Sequence, residues 1–314
     1  MTLPILPLAP IHLPKVWGGR TLAAYRSNLP EGPVGESFEA SALPGAESRV
    51  RSGPHEGRTL REMIDAHGAD LLGRHDDLPF LIKVLDVLDS LSVQIHPAEE
   101  RSRRLGLAHA KTEGWVILEA SPYADVGLGL LPGIDRAMLE MLIGKGTPER
   151  ALAIHSPLRG QAYFLPCGTV HYATGGILLY EFQRPADVTL RLYDWGRARA
   201  GATPLPDALD AVFEDRGRGL AGPAPVELFT DTRSSGTFEG GGFRVRSFAC
   251  HEGTEGEDIE VSGVASVTVF DGELALEAEG EPVTLSTIET ALVPARPGRF
   301  HASGEGMALV CDVP

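Results

Sequence analysis

Residues 160–171 read GQAYFLPCGTVH. Gly160 opens a strand, Pro166 and Gly168 enclose a tight turn, and a second strand starts at His171. Downstream, YATGGILLYEFQ (172–183) repeats the alternation of strand and turn, and VTLRLY (188–193) adds a further strand. Upstream, SVQIH (92–96) and GWVIL (114–118) are short runs rich in β-branched residues. With 37 glycines and 24 prolines to punctuate them, such runs predict a mainly β chain of many short strands.

The chain has 314 residues, 43% hydrophobic and 23% charged, a composition that fills one or two packed domains and excludes disorder. Its net charge of −15 would repel nucleic-acid phosphates and anionic membrane surfaces, so neither is expected as a partner. An anionic ligand would need a local basic cluster. There are only four lysines, Lys15, Lys83, Lys111 and Lys145, in a chain that otherwise uses arginine, so each retained lysine is informative. The cysteines, Cys167, Cys250 and Cys311, are odd in number and widely spaced, which suits a reducing cytoplasm. The proline-broken start MTLPILPLAP lacks the basic region of a signal peptide, and no run approaches the roughly 18 apolar residues of a membrane helix.

Leu60, Met63, Ile64 and Leu71 recur at near-helical spacing behind Thr59, predicting a helix over 59–72. Residues 79–97 read as one or two buried strands, and helical stretches are expected over 134–143 and again over 148–154. Segment 197–240 is dense in Gly, Pro and charge, with one helical patch at 209–213, and reads as an ordered crossing between two domains, 1–240 and 241–314. From Phe243 onward short strands echo the earlier cadence, as in a degenerate duplication.

The spacing from Gly160 to His171 (Gly, five residues, Pro, one, Gly, two, His) matches the second cupin motif, in which the histidine points into a barrel and binds metal. Its expected partners lie in Ser92-Val-Gln-Ile-His-Pro, where a period of two aims Gln94 and His96 at one face. Glu113, in Lys111-Thr-Glu-Gly-Trp, offers a carboxylate. Gln94, His96, Glu113 and His171 together make a mixed nitrogen and oxygen set with positions open to water or substrate. The remaining histidines sit in helical, loop or motif-free contexts.

The residues resemble the type I mannose-6-phosphate isomerases in their short bacterial form. The matching stretches are PKVWGGR (14–20), GESFEASALP (35–44), LPFLIKVLD with LSVQIHP (78–97), KTEGW (111–115) and LPCGTVHYATGGILLYEFQRPADVTLRLYDWGR (165–197), collinear over about two thirds of the chain. The resemblance implies two cupin (jelly-roll) β-barrels with a small helical insert at about 131–155. It also implies one zinc ion per chain in the first barrel and interconversion of mannose 6-phosphate and fructose 6-phosphate through an enediolate. By motif, Gln94, His96, Glu113 and His171 resemble the zinc ligands. Arg191 and Lys111 look like catalytic residues, with Asp187 beside them, and Lys83, Trp17 and Glu36 look like substrate-binding residues. Lys15, Lys83 and Lys111 all fall inside matched motifs. Ala110 stands where longer family members carry a histidine before the lysine, and Phe38 stands where tryptophan is usual. The second barrel, with its scrambled VPARPGRFHASG, is expected to be metal-free. The alternatives are an isomerase of another phosphosugar and a non-catalytic sugar-binding bicupin, in either case a monomer or homodimer.

Overall fold

Strands occupy the β-branched runs in the computed structural model, which describes residues 3–107, 109–186, 188–197, 204–214, 222–230 and 235–314. Among the described residues a seven-stranded sheet runs in the order Val226–Glu227, Gln161–Leu165, Glu113–Ala120, Ile177–Gln183, Leu81–Val87, Glu36–Ala40, Ile11–Leu13. A five-stranded sheet runs Leu152–His155, Asp125–Leu130, His171–Thr174, Val93–Ile95, Leu190–Tyr193. Within both, neighbouring strands are antiparallel. The mainly β expectation holds.

Two strands of the larger sheet show how alternation sets up the site. In Leu81–Val87, Ile82 and Val84 join a core cluster shared with the C-terminal part of the chain, while Leu85 and Val87 pack with Val126, Leu128 and Ala173 of the five-stranded sheet. In Ile177–Gln183, Leu178, Tyr180 and Phe182 face the first cluster, and Ile177 and Leu179 the second. Each buried apolar side chain contributes about 1.5–3 kcal/mol. Lys83 and Glu181 fall on the same parity as Leu85 and Leu179, and so point between the two sheets.

The C-terminal sheet of nine strands includes Phe243–Cys250, Ala265–Glu277, Glu289–Val293 and Arg299–Asp312. The strand Leu6–Ala9 pairs with Glu289–Val293, Leu6 opposite Leu292, so residues from the start of the chain complete the sheet built at its end.

The first helix spans Leu60–Leu72 and starts with a capping box, Thr59 accepting from the Glu62 amide and the Glu62 side chain accepting from Thr59. It buries Leu60, Met63, Ile64, Leu71 and Leu72. The helix Arg136–Gly144 is capped by the Asp135 side chain. The expected helix over 148–154 is corrected: only Pro148–Ala151 forms a 3-10 turn, and Leu152–His155 is a strand, because its backbone pairs with Asp125–Leu130. The helical patch at 209–213 is the end of a longer helix, Leu205–Phe213, with proline in its first turn. A short helix, Glu99–Arg104, has no counterpart in the sequence reading. The helices Arg136–Gly144 and Leu205–Phe213 share a core cluster with the five-stranded sheet through Leu139, Ile143, Leu209 and Val212. Among the described residues no helix is long and apolar enough to cross a membrane.

Candidate metal centre and cavity

The turn at 166–169 builds the centre. Gly160 and Gly168 both have φ near +87°, where a side chain would be strained, and a Cβ on Gly160 would run into the Phe229 carbonyl. Thr169 N–H closes the turn on the Pro166 carbonyl at 3.1 Å, and Gly168 N–H donates to the His96 carbonyl at 2.7 Å. The motif thus locks one candidate ligand strand onto the other. His171, the first residue of its strand, lies opposite Gln94, and Gln94 lies opposite Arg191 on its other side.

His96, Glu113 and His171 are buried, with one potential ligand atom from each lying within 4.8 Å of the others. His96 Nδ1 is 2.8 Å from the Val188 carbonyl and His171 Nδ1 is 2.9 Å from the Thr169 carbonyl. A carbonyl only accepts, so each Nδ1 carries the proton and each Nε2 presents a lone pair. Both Nε2 atoms lie 3.2 Å from Glu113 Oε1. Lone pairs facing a carboxylate in a buried site call for a cation between them. Gln94 completes the set, its Nε2 3.1 Å from His171 Nε2 and its Oε1 accepting from Ser92 Oγ at 2.8 Å. Turned over, the same amide presents oxygen to the centre and donates to Ser92 Oγ. Two imidazoles, a carboxylate and an amide oxygen fit a zinc-type ion.

Lys111 Nζ lies 2.7 Å from Glu113 Oε2 and 3.4 Å from His96 Nε2. Burial alone would raise the Glu113 pKa, but the Lys111 ammonium beside it holds it well below the usual carboxylate range. Burial, then Lys111, push His96 down to about 4, keeping it in the neutral form that binds metal.

Beside the centre lies a cavity of about 330 Å³ whose walls include Gln94, Lys111, Lys83, Glu181, Arg191, Trp17, Trp115, Lys15 and Glu36. Its charges are mostly paired. Lys83 meets Glu181 at 3.2 Å and stands over the Phe38 ring at 4.9 Å, while Trp115 Nε1 donates to Glu181 Oε2 at 2.9 Å. Lys15 meets Glu36 at 3.2 Å. Arg191 differs, since its buried Nε has no hydrogen-bond partner among the described residues.

The structure therefore brings Gln94, His96, Glu113 and His171 together and places Lys111, Lys83, Arg191, Trp17 and Glu36 around one cavity. Asp187 lies outside the described residues. Sequence reasoning passed over Glu181, although a lone acid on the inward parity of an otherwise apolar strand is a signal for a buried partner.

Fold and site define a mainly β protein with a metal centre walled in between two antiparallel sheets. Residues 5–114 match the family model described as phosphomannose isomerase type I, catalytic domain. Mannose-6-phosphate isomerase ManA of Bacillus subtilis is 33% identical over 207 residues, 64% of this chain and 64% of that protein. The matched region spans just under two thirds of the length of the Bacillus subtilis and Streptococcus mutans relatives. A crystal structure of the Bacillus subtilis mannose 6-phosphate isomerase superposes with a TM-score of 0.77 at 25% identity, covering 99% of this chain and 100% of that one. A zinc-bound mannose 6-phosphate isomerase structure shares the fold, with a TM-score of 0.75 at 17% identity over 98% of both chains. The chain is thus similar to the type I phosphomannose isomerases, in sequence over residues 5–114, matched by the family model, and in fold over 99% of its length.

Proposed function

We propose that this protein is a zinc-dependent aldose-ketose isomerase interconverting mannose 6-phosphate and fructose 6-phosphate in the cytoplasm. The observation that carries this reading is the pair of Nε2 lone pairs and the Glu113 oxygen converging beside a cavity whose wall includes Arg191, with its buried Nε unpartnered among the described residues. One zinc ion per chain would be held by Gln94, His96, Glu113 and His171, and when bound it supplies Lewis-acid polarisation of a substrate oxygen.

Isomerisation moves a proton between C2 and C1 of the sugar through an enediolate. Arg191, next to Gln94 across the strand pair, is the group to stabilise negative charge on the substrate oxygens. Lys111 and Glu181 line the wall as proton carriers, each held in place by a charged partner. Trp17, only 5% exposed, forms an apolar part of the wall that excludes water. Residues 1–240 form the catalytic domain in this reading and 241–314 its companion, with Asp187 as an additional catalytic candidate.

The test is a coupled assay on the purified, zinc-loaded protein with mannose 6-phosphate, unphosphorylated mannose and other phosphosugars. Turnover of mannose 6-phosphate is expected. Preference for a different phosphosugar would overturn the substrate assignment, and absence of any turnover would leave a sugar-binding bicupin. Arg191→Ala should lower kcat by about 10²-fold or more with normal zinc content.

A further inference from the structure

We propose that Lys15 anchors the phosphate of the substrate at the end of the cavity remote from the metal centre, an assignment that rests on the isomerase reading. In a hexose 6-phosphate the phosphate sits at the opposite end of the carbon chain from the reacting carbons. The reacting end belongs beside Gln94 and Glu113. Glu113–Ala120, Ile177–Gln183, Leu81–Val87 and Glu36–Ala40 are successive neighbours in one sheet. Three inter-strand spacings of about 4.8 Å therefore separate the Glu113 strand from the Glu36 strand, about 14 Å in all. Lys15 pairs with Glu36 on that far strand.

The other cations of the cavity are committed elsewhere. Lys111 and Lys83 are almost wholly buried against Glu113 and Glu181, and drawing either one away would strand a buried carboxylate. Arg191 sits beside Gln94 at the reacting end. The Lys15 and Glu36 side chains retain 34% and 17% exposure, so Glu36 can be resolvated when Lys15 turns to a dianion. Lys15 is also held in place. Its carbonyl accepts from Gly18 N–H at 3.0 Å, and its stem lies where a Cβ on Gly35 would otherwise stand. In a chain of net charge −15, a partly exposed ammonium at the cavity edge gives an incoming phosphate a local attraction.

The experiment compares zinc-loaded wild type, Lys15→Met, Lys15→Arg and Lys15-independent control Lys145→Met. Methionine keeps an unbranched stem and removes the charge. For Lys15→Met the KM for mannose 6-phosphate should rise roughly 10- to 100-fold, with kcat within about twofold of wild type. Competitive inhibition by inorganic phosphate should weaken by a similar factor, turnover of unphosphorylated mannose should not change, and Lys15→Arg should recover most of the loss. An active Lys15→Met enzyme with unchanged KM and unchanged phosphate inhibition would overturn the assignment and leave the isomerase reading standing. A wild type that turns over no phosphosugar would overturn both.

Discussion

The two buried interiors of this chain are both lined by antiparallel strands and are filled differently. Both are antiparallel β structures with inward residues at period two, yet the C-terminal interior is closed by side chains such as Phe248, Val267, Val269, Leu276, Leu285, Val293, Phe300 and Val310. The first interior combines an apolar cluster with Lys83, Glu181, Lys111, Glu113, His96 and His171, all at most 5% exposed. Buried charges are costly unless each has a partner, and here each lysine has a carboxylate while the imidazoles converge on one of those carboxylates. The C-terminal layer lends apolar packing through the cluster it shares with the outer face of the seven-stranded sheet. Chemistry is concentrated where the fold tolerates polar groups only by pairing them.

The sharpest way to break this contrast is to remove one histidine from each half. His171→Ala should lower metal affinity by more than about 10²-fold and abolish metal-dependent turnover. His301→Ala, whose imidazole meets only an exposed Asp258 at 2.8 Å, should leave metal content unchanged. Elemental analysis of both purified variants decides the matter, and retained metal in His171→Ala would remove the distinction between the two interiors.

A smaller effect sharpens it. Lys83→Met leaves Glu181 buried without its cation, and stability should fall by about 3–5 kcal/mol. Lys83→Met combined with Glu181→Gln should recover much of that loss, because the uncompensated charge is gone. Leu276→Ala in the C-terminal interior, fully buried, should cost about 2–5 kcal/mol through its cavity, and no second substitution that neutralises a charge can rescue it. Denaturant titration of the four proteins reads out both patterns. Equal losses in the single and double Lys83 variants would show that the ion pair is not what the site protects.

Much of this was legible in the chain because it is local. The Gly160 to His171 spacing specifies a turn, and period two in SVQIHP specifies which side chains share a face, so the candidate ligands His171, Gln94 and His96 could be named from local pattern. What escaped depends on pairing between distant strands. Leu152–His155 carries no alternation strong enough to outweigh the helical signal before it, and only its partner strand makes it extended. Leu6–Ala9 joins a sheet strand 286 residues later, Leu6 opposite Leu292, a contact no local pattern encodes. Glu181 could have been singled out from its inward parity, but its partner Lys83 is identified by register alone, since the two stand directly opposite each other.

The smallest expected effect lies at the seam between the two halves. His12 Nδ1 is 3.1 Å from Ser37 Oγ, which also accepts from Arg26 at 2.7 Å. Ser37 Oγ can accept from Arg26 and still donate its own proton to His12 Nδ1, an arrangement that suits the neutral imidazole. Arg26 continues to Glu39 at 2.7 Å and to the Ile288 carbonyl of the C-terminal part, so this network ties the halves together. Half-burial first, and then the Arg26 charge, lower the His12 pKa from 6.5 to about 4. The sign follows from proton counting: between those two values the unfolded chain binds the proton and the folded chain does not, so stability must fall as pH drops from 6.5 toward 4. Above that window His12 contributes nothing to the slope. His12→Gln should accordingly leave Tm at about pH 8 little changed apart from a pH-independent offset, and should show a shallower fall in Tm across the acid window than wild type. Other buried titratable groups, the candidate metal ligands among them, act alike on both proteins, so the difference between the two Tm curves is the quantity to measure. Parallel curves through the window would mean that the seam does not sense pH through His12.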